Sequence, residues 1–385
     1  MKKQIYLDNA STTEIDKRVL KEMQPYLKEK YGNASSQHTK GREAKQALEI
    51  SRKIIAKSIN AKSSEIYFTS GGTESNNWAI KGLFFKQQEL PEKKNHIVTT
   101  KIEHDCVLNS CRWLEKNQGA KVTYLDVDSE GFINLEQLKN SITDKTFLVS
   151  IIHGNNEIGA IQNLKEISKI CHESGVFFHT DACQSYTKTE LDVKKQNIDL
   201  VTLNSHKIHG PKGCGCLYVK EGIKISPLMH GGGHEFKLRS GTENISGIVG
   251  FAKSVKIANS KDIDKMKKLQ EYVIQEILKI PNTKLNGPLP GEQRLCNNIN
   301  ISFSNIEGES IGGYLERENI FTSTGSACSS HTLEPSHVLK AIGLSPIEIN
   351  SSIRISISKF TTKEDIDKLL KILPKIVIKL RRLSP

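Results

Sequence analysis

The sequence predicts an α/β protein: a large domain built on a mostly parallel, seven-stranded sheet, joined to a smaller α+β domain. Three observations predict it. The chain has 385 residues, more than one ordinary core holds and enough for a large domain plus a smaller one. Between about residues 60 and 220, seven short apolar runs alternate with stretches of helical pattern. Beyond about residue 250 that alternation gives way to long, lysine-rich amphipathic segments.

The runs at 66–69, 97–100, 122–125, 147–152, 176–179, 200–203 and 216–219 read as strands. Several are nearly unbroken, such as Val176-Phe177-Phe178, which suits strands covered on both faces. Stretches 74–85, 105–117, 135–140 and 164–173 read as the helices between them. Repeated βα units put functional loops at the carboxyl ends of the strands. In the second region, 262–279 reads as a helix and 298–303 as a strand. The last helix sets Ile366, Leu369, Leu370, Leu373, Ile376, Val377 and Leu380 on one face, with Thr362 and Asp365 in a capping arrangement. The large domain is expected at 16–255, and the small one from 1–15 together with 256–385. Neither an internal repeat nor a low-complexity linker separates them, so close packing is expected.

Composition narrows the function classes. With 37% hydrophobic and 25% charged residues, the chain has the make-up of a soluble globular protein. No apolar run approaches the ~18–20 residues that span a bilayer. The start, from Met1-Lys2-Lys3 straight into a strand-like run, lacks an export signal, so a cytoplasmic protein without a membrane partner is expected. The net charge of +12 comes from lysines interleaved with carboxylates. The densest clusters, Lys265-Met266-Lys267-Lys268 and Arg381-Arg382, have no aromatic stacking partners. They read as solvated helix faces, and no direct nucleic-acid partner is expected. The eight cysteines are dispersed, which argues for free thiols. Cys214 and Cys216 form C-x-C with no second pair at zinc spacing, so no metal site is expected. Most of the eight read as small buried apolar residues.

The predicted strand ends carry the chemistry. Strand 66–69 runs into Ser70-Gly71-Gly72-Thr73 and a helix start, where glycines let amides approach an anion. Strand 176–179 ends in Thr180-Asp181-Ala182-Cys183-Gln184, and a carboxylate there needs a partner, either a helix amide or a cationic ring nitrogen. Strand 200–203 ends in Asn204-Ser205-His206-Lys207, a lysine that could be kept dry and neutral for a Schiff base or could be a plain solvated cation. A phosphate loop, an aspartate and a lysine at strand ends, in that order, make a pyridoxal-phosphate (PLP) site the leading reading. His104 follows strand 97–100, as helix start or as proton carrier. Asn156 stands at another strand end. Arg354, inside an alternating strand, suits either an amino-acid carboxylate or a structural ion pair. Cys328 stands apart from the other thiols, in Thr324-Gly325-Ser326-Ala327-Cys328-Ser329-Ser330. That run of small polar residues reads as an exposed loop with an accessible thiol.

These residues resemble the cysteine desulfurases of the NifS/IscS type, fold type I PLP-dependent enzymes in the branch called class V aminotransferases. The resemblance covers essentially the whole chain. It runs from Tyr6-Leu7-Asp8-Asn9-Ala10-Ser11-Thr12-Thr13 through 69–76, Glu103-His104, 155–159, Asp181-Ala182-Cys183-Gln184 and Ser205-His206-Lys207. It continues in His230-Gly231-Gly232-Gly233-His234-Glu235, Arg239-Ser240-Gly241-Thr242, Gly325-Ser326-Ala327-Cys328, Leu333-Glu334-Pro335-Ser336 and Ser352-Ile353-Arg354. It implies conversion of L-cysteine to L-alanine with sulfur passed to Cys328 as a persulfide. Lys207 would bond the cofactor's aldehyde carbon, Asp181 would face the ring nitrogen, His104 would stack on the ring and move protons, and Gln184 would bond the ring hydroxyl. Gly72, Thr73 and His206 would hold the phosphate, joined by Thr242 of a second subunit in a homodimer, while Arg354 and Asn156 would grip the substrate carboxylate. The implied sulfur acceptor is an iron–sulfur scaffold or a tRNA-thiolation factor. Within the class the rivals are a selenocysteine lyase or another PLP-dependent cysteine lyase, since an aminotransferase has no use for Cys328. A catalytically silent scaffold would not need Lys207, Asp181, His104 and Cys328 together. The chain departs from the family pattern at Ala34, where a proline is common, and at Asn204-Ser205, where Ser followed by Gly or Ala is more frequent. It stops at Pro385, where many members continue into a tail that docks an iron–sulfur scaffold.

Overall fold

The protein was analysed as a computed structural model, which describes residues 3–324 and 335–383. Its seven-stranded sheet has the order Ile66–Thr69, Gly215–Val219, Leu200–Asn204, Phe177–Asp181, Thr146–Ser150, His96–Thr100, Lys121–Leu125. Gly215–Val219 runs against both its neighbours, and the other six strands run one way. Successive residues of each strand face opposite sides. Val98, Val149, Val201 and Cys216 therefore join one core cluster, and Ile97, Leu148, Leu200 and Leu217 the other. Helices Thr39–Ser58 and Ile245–Ile257 cover the first face, and Asp105–Gln118 covers the second. This two-sided covering is why the strand sequences read as unbroken apolar runs.

A separate core gathers Ile5 and Leu7 with Val273, Ile299, Ile301, Ile353, Ile355, Leu369 and Val377. It is built on an antiparallel sheet of Ser352–Ser356, Asn298–Phe303 and Thr283–Leu285, covered by helices Ser260–Ile277 and Lys363–Leu383. At the last helix the Thr362 amide donates to Asp365 Oδ2 (3.1 Å) and the Asp365 amide donates to Thr362 Oγ1 (3.2 Å), the reciprocal cap that the sequence predicts. Ile5–Tyr6 pairs in parallel with Ile320–Phe321, which ties the chain start to this core.

Element ends differ from the sequence reading: the strand expected at 147–152 spans Thr146–Ser150, and two further differences bear on the site. The strand expected at 176–179 spans Phe177–Asp181, so Asp181 is its last residue rather than part of the following loop. The helix expected at 74–85 begins at Gly72 and widens into a π turn over Trp78–Gly82 before Leu83–Gln88. Among the described residues no helix is long and apolar enough to cross a membrane.

Candidate active site

The site grows from strand ends and helix starts. After strand Ile66–Thr69, Gly71 takes φ +154° and helix Gly72–Asn77 begins. Its first amides have no carbonyl one turn earlier and point out of the helix end. A Cβ on Gly72 would lie 2.7 Å from Cys183 Sγ, so only glycine lets this helix start approach the loop after Asp181. Glu74 locks the turn: it accepts the Ser70 amide (2.8 Å) and a two-pronged contact from Arg239 (2.7 and 3.1 Å). One turn on, Asn76 Nδ2 donates to Asp181 Oδ2 at 2.6 Å.

Asp181 closes its strand with both oxygens held, Oδ1 accepting the Cys183 amide at 2.9 Å. His104 is the N-cap of helix Asp105–Gln118: its Nδ1 accepts the Cys106 amide at 3.1 Å, with Cys106 Sγ 3.0 Å away. Burial lowers the His104 pKa below the usual imidazole range, so the ring is neutral at neutral pH. Its neighbour Glu103 is wholly buried, and burial pushes its carboxyl up to about 8. Burial likewise pushes the Cys106 thiol up to about 12.

The lysine loop follows strand Leu200–Asn204 and folds tightly on Ser205, whose carbonyl accepts the Ile208 and Gly210 amides at 3.1 Å each. Lys207 Nζ donates to the carbonyls of Ala10 and Ser11, the latter at 2.7 Å, and Gln184 Nε2 donates to the Ala10 carbonyl at 2.8 Å. Thr13 completes the strap, its amide and hydroxyl both donating to the His206 carbonyl (3.0 and 2.8 Å). Burial, and then the charge of Lys207, bring the His206 pKa down to about 4. The N-terminal segment therefore closes over the lysine and glutamine from nearly two hundred residues away.

Arg354 sits mid-strand with 2% of its side chain exposed, and its Nη2 donates to Asp8 Oδ1 (2.9 Å) and Ser11 Oγ (2.8 Å). Its Nη1 donates to the Asn156 carbonyl at 3.2 Å. The inward orientation that the alternating pattern predicts is present, and the ion-pair partner is Asp8.

A cavity of about 680 Å3 brings together Gly72, Thr73, His104, Asn156, Asp181, Gln184, His206, Lys207 and Arg354. Thr242 is exposed and does not line it. Cys328 lies outside the described residues. The donor set suits pyridoxal phosphate: an acid for a ring nitrogen, an amine for an aldehyde, and helix-start amides for a phosphate. Two buried amide oxygens on the same wall, Asn76 Oδ1 and Asn204 Oδ1, have no hydrogen-bond partner among the described residues. Sequence reasoning missed Asn76, Glu103 as a group of its own, Cys106 and the Asp8–Arg354 pair. For Asn76 the signal was its place one helical turn after the glycine loop, and for Asp8 the unassigned polar run at the chain start.

Residues 5–369 match the family model "Aminotransferase class-V". Among curated proteins, the chain is 48% identical to "Cysteine desulfurase IscS" of Methanosarcina thermophila, over 100% of this chain and 94% of that one. It is 49% identical to the protein of the same name from Dictyoglomus turgidum, over 100% and 97%. Among solved structures, a "NIFS-LIKE PROTEIN" superposes with a TM-score of 0.90 at 37% identity, covering 98% of this chain and 100% of that one. A structure titled "SspA in complex with cysteine" matches with a TM-score of 0.82 at 37% identity, over 93% and 100%.

Proposed function

The chain belongs to the class-V aminotransferase family, in its cysteine desulfurase branch, and from that premise we propose how its own residues carry the reaction. It is a PLP-dependent cysteine desulfurase that takes sulfur from L-cysteine and leaves L-alanine. Bound PLP supplies an electron sink for bond changes at the substrate's α and β carbons.

The protein's part is binding, orientation and proton placement. Lys207 would hold the cofactor's aldehyde carbon. Asp181, fixed by Asn76 and the Cys183 amide, would face the ring nitrogen. Gln184 would meet the ring hydroxyl, and Gly72, Thr73 and His206 would meet the phosphate. Arg354 and Asn156 would take the substrate carboxylate. Because His104 Nδ1 accepts the Cys106 amide, the neutral ring carries its proton on Nε2 and offers that atom to the cavity. Cys328 attacks the substrate sulfur, forming an S–S bond as the C–S bond breaks. One thiol and one cysteine become one persulfide and one alanine, with no net oxidant. Thr242, exposed in the single chain, completes the phosphate site of a second copy in a homodimer. The sulfur then passes to an iron–sulfur scaffold or a tRNA-thiolation factor in the cytoplasm, a reducing compartment that suits the seven free thiols among the described residues.

The observation that carries this reading is the convergence of Lys207, Asp181, His104 and the Gly72–Thr73 turn on one cavity. The test is sulfide and alanine release from L-cysteine with PLP and a reductant. Equal amounts of both products from the wild type, and none from Cys328→Ser or Lys207→Ala, are expected. Full activity in Cys328→Ser would refute the persulfide role and leave a lyase that releases sulfur directly.

A further inference from the structure

Lys188 has no part in the reaction as described, yet its nitrogen reaches two residues that do. Lys188 is half-buried and lines a second, small cavity of about 50 Å3. The ammonium turns inward and donates to the carbonyls of Gln184 (2.8 Å) and Lys207 (3.2 Å). Thr187, in the turn between Gln184 and Lys188, takes a left-handed φ of +62°, and the Lys188 nitrogen bonds back to the carbonyl four residues earlier. Among the described residues the ammonium meets these carbonyls and no carboxylate.

The thiols and imidazoles around it are uncharged near pH 7. Burial pushes the Cys296 thiol up to about 11 and the Cys183 thiol higher still. The imidazoles of His206 and His209 are brought down to about 4. Lys359, paired with Asp16 (2.6 Å), and Asp262 also line the small cavity. Lys188 therefore brings an uncompensated positive charge beneath the loop that bears Lys207.

We propose that Lys188 is a positioning residue for the cofactor: its ammonium ties the main chain of Gln184 to that of Lys207 and so fixes the places from which the two side chains enter the cavity. The tie holds both residues in register by their carbonyls. Burial holds the Lys188 pKa down to about 8, so the tie is present at neutral pH and released in mild alkali. This inference rests on the reading of Gln184 and Lys207 as cofactor residues.

The test is PLP uptake by the apo-protein, followed by absorbance from about pH 7 to 9.5, for wild type, Lys188→Met, Lys188→Arg and Lys207→Ala. Loss of two charge-assisted hydrogen bonds should weaken uptake by Lys188→Met about tenfold or more at pH 7, with a melting temperature close to wild type. Wild-type affinity should fall toward that of the Met variant above about pH 8. Lys188→Arg, which stays charged, should keep its affinity across the range. Wild-type affinity and an unchanged profile in Lys188→Met would overturn the proposal. So would an alkaline loss in Lys188→Arg identical to wild type, and that comparison decides even where the Met variant fails to fold. Tight, wild-type-like uptake by Lys207→Ala would instead sink the underlying assignment of the cofactor lysine.

Discussion

Replacing Glu103 by Gln should remove a pH dependence from folding whose size can be worked out. The Glu103 carboxyl is wholly buried, and its Oε1 accepts the Thr100 hydroxyl and the Ile152 amide, both at 2.8 Å. Burial first, and the nearby charge of Asp181 as well, raise its pKa from 4.5 to about 8. Between those values the folded protein holds a proton that the unfolded chain has released. The folded state then binds more protons, and stability falls as pH rises. The slope is about 1.4 kcal/mol per pH unit, so the loss comes to about 2 kcal/mol between pH 6 and 8 and flattens above the folded value. Glu103→Gln cannot ionise and keeps the acceptor for Thr100 and Ile152. The gap between variant and wild-type unfolding free energies should therefore widen by about 2 kcal/mol over that interval. Urea denaturation of the holo-protein at several pH values, with protein and cofactor concentrations fixed, measures it. Parallel stability curves for the two proteins would refute the reasoning, since they would mean that Glu103 ionises alike in the folded and unfolded chain.

Two substitutions test local geometry. Gly72→Ala places a Cβ 2.7 Å from Cys183 Sγ and should weaken PLP retention about tenfold, an effect of the size of one lost charge-assisted hydrogen bond. Adding Cys183→Ala should recover most of it on dialysis, and failure of that rescue would show that another contact demands the glycine. Thr187→Gly removes a β-branched side chain from a left-handed φ of +62° and should stabilise the protein by about 1 kcal/mol, read as a rise in melting temperature. A fall would show that the Thr187 side chain contributes more than its backbone strain costs.

Much of the architecture was legible because the sheet is buried on both faces. Runs such as Leu200-Val201-Thr202-Leu203 have no polar face to disguise them, and all seven strands lie where the apolar runs are. The last helix was legible for a different reason: Thr362 and Asp365 carry their capping chemistry within four residues. The misplaced end of strand Phe177–Asp181 came from polarity. Thr180 and Asp181 read as loop, yet both are buried, with Thr180 Oγ1 bonded to the Ile151 carbonyl (2.7 Å) and Asp181 held by Asn76. The strand-end residues of the site were legible from their order, because parallel βα units bring successive strand ends to one edge. The closure of the site was not. The carbonyls of Ala10 and Ser11 that receive Lys207, and Asp8 that pairs with Arg354, lie 196 to 346 positions away in sequence. No local pattern encodes such a pairing.

The cavity's electrostatics follow from one asymmetry in how its polar groups are supported. Burial acts on all of them and favours the uncharged form. It lowers the pKa values of His104 and His206 and raises those of Glu103, Cys106 and Cys183. Two donors, Asn76 Nδ2 and the Cys183 amide, meet the two oxygens of Asp181. A carboxylate held in this way has a fixed orientation in the cavity wall, which is what its proposed role toward a ring nitrogen requires. The same logic separates the two lysines. Lys207 gives hydrogen bonds to carbonyls of the N-terminal strap, on the cavity side. Lys188 gives its own to the main chain of Gln184 and Lys207, the proposed cofactor residues, which is why losing its charge should disturb cofactor uptake before it disturbs the fold.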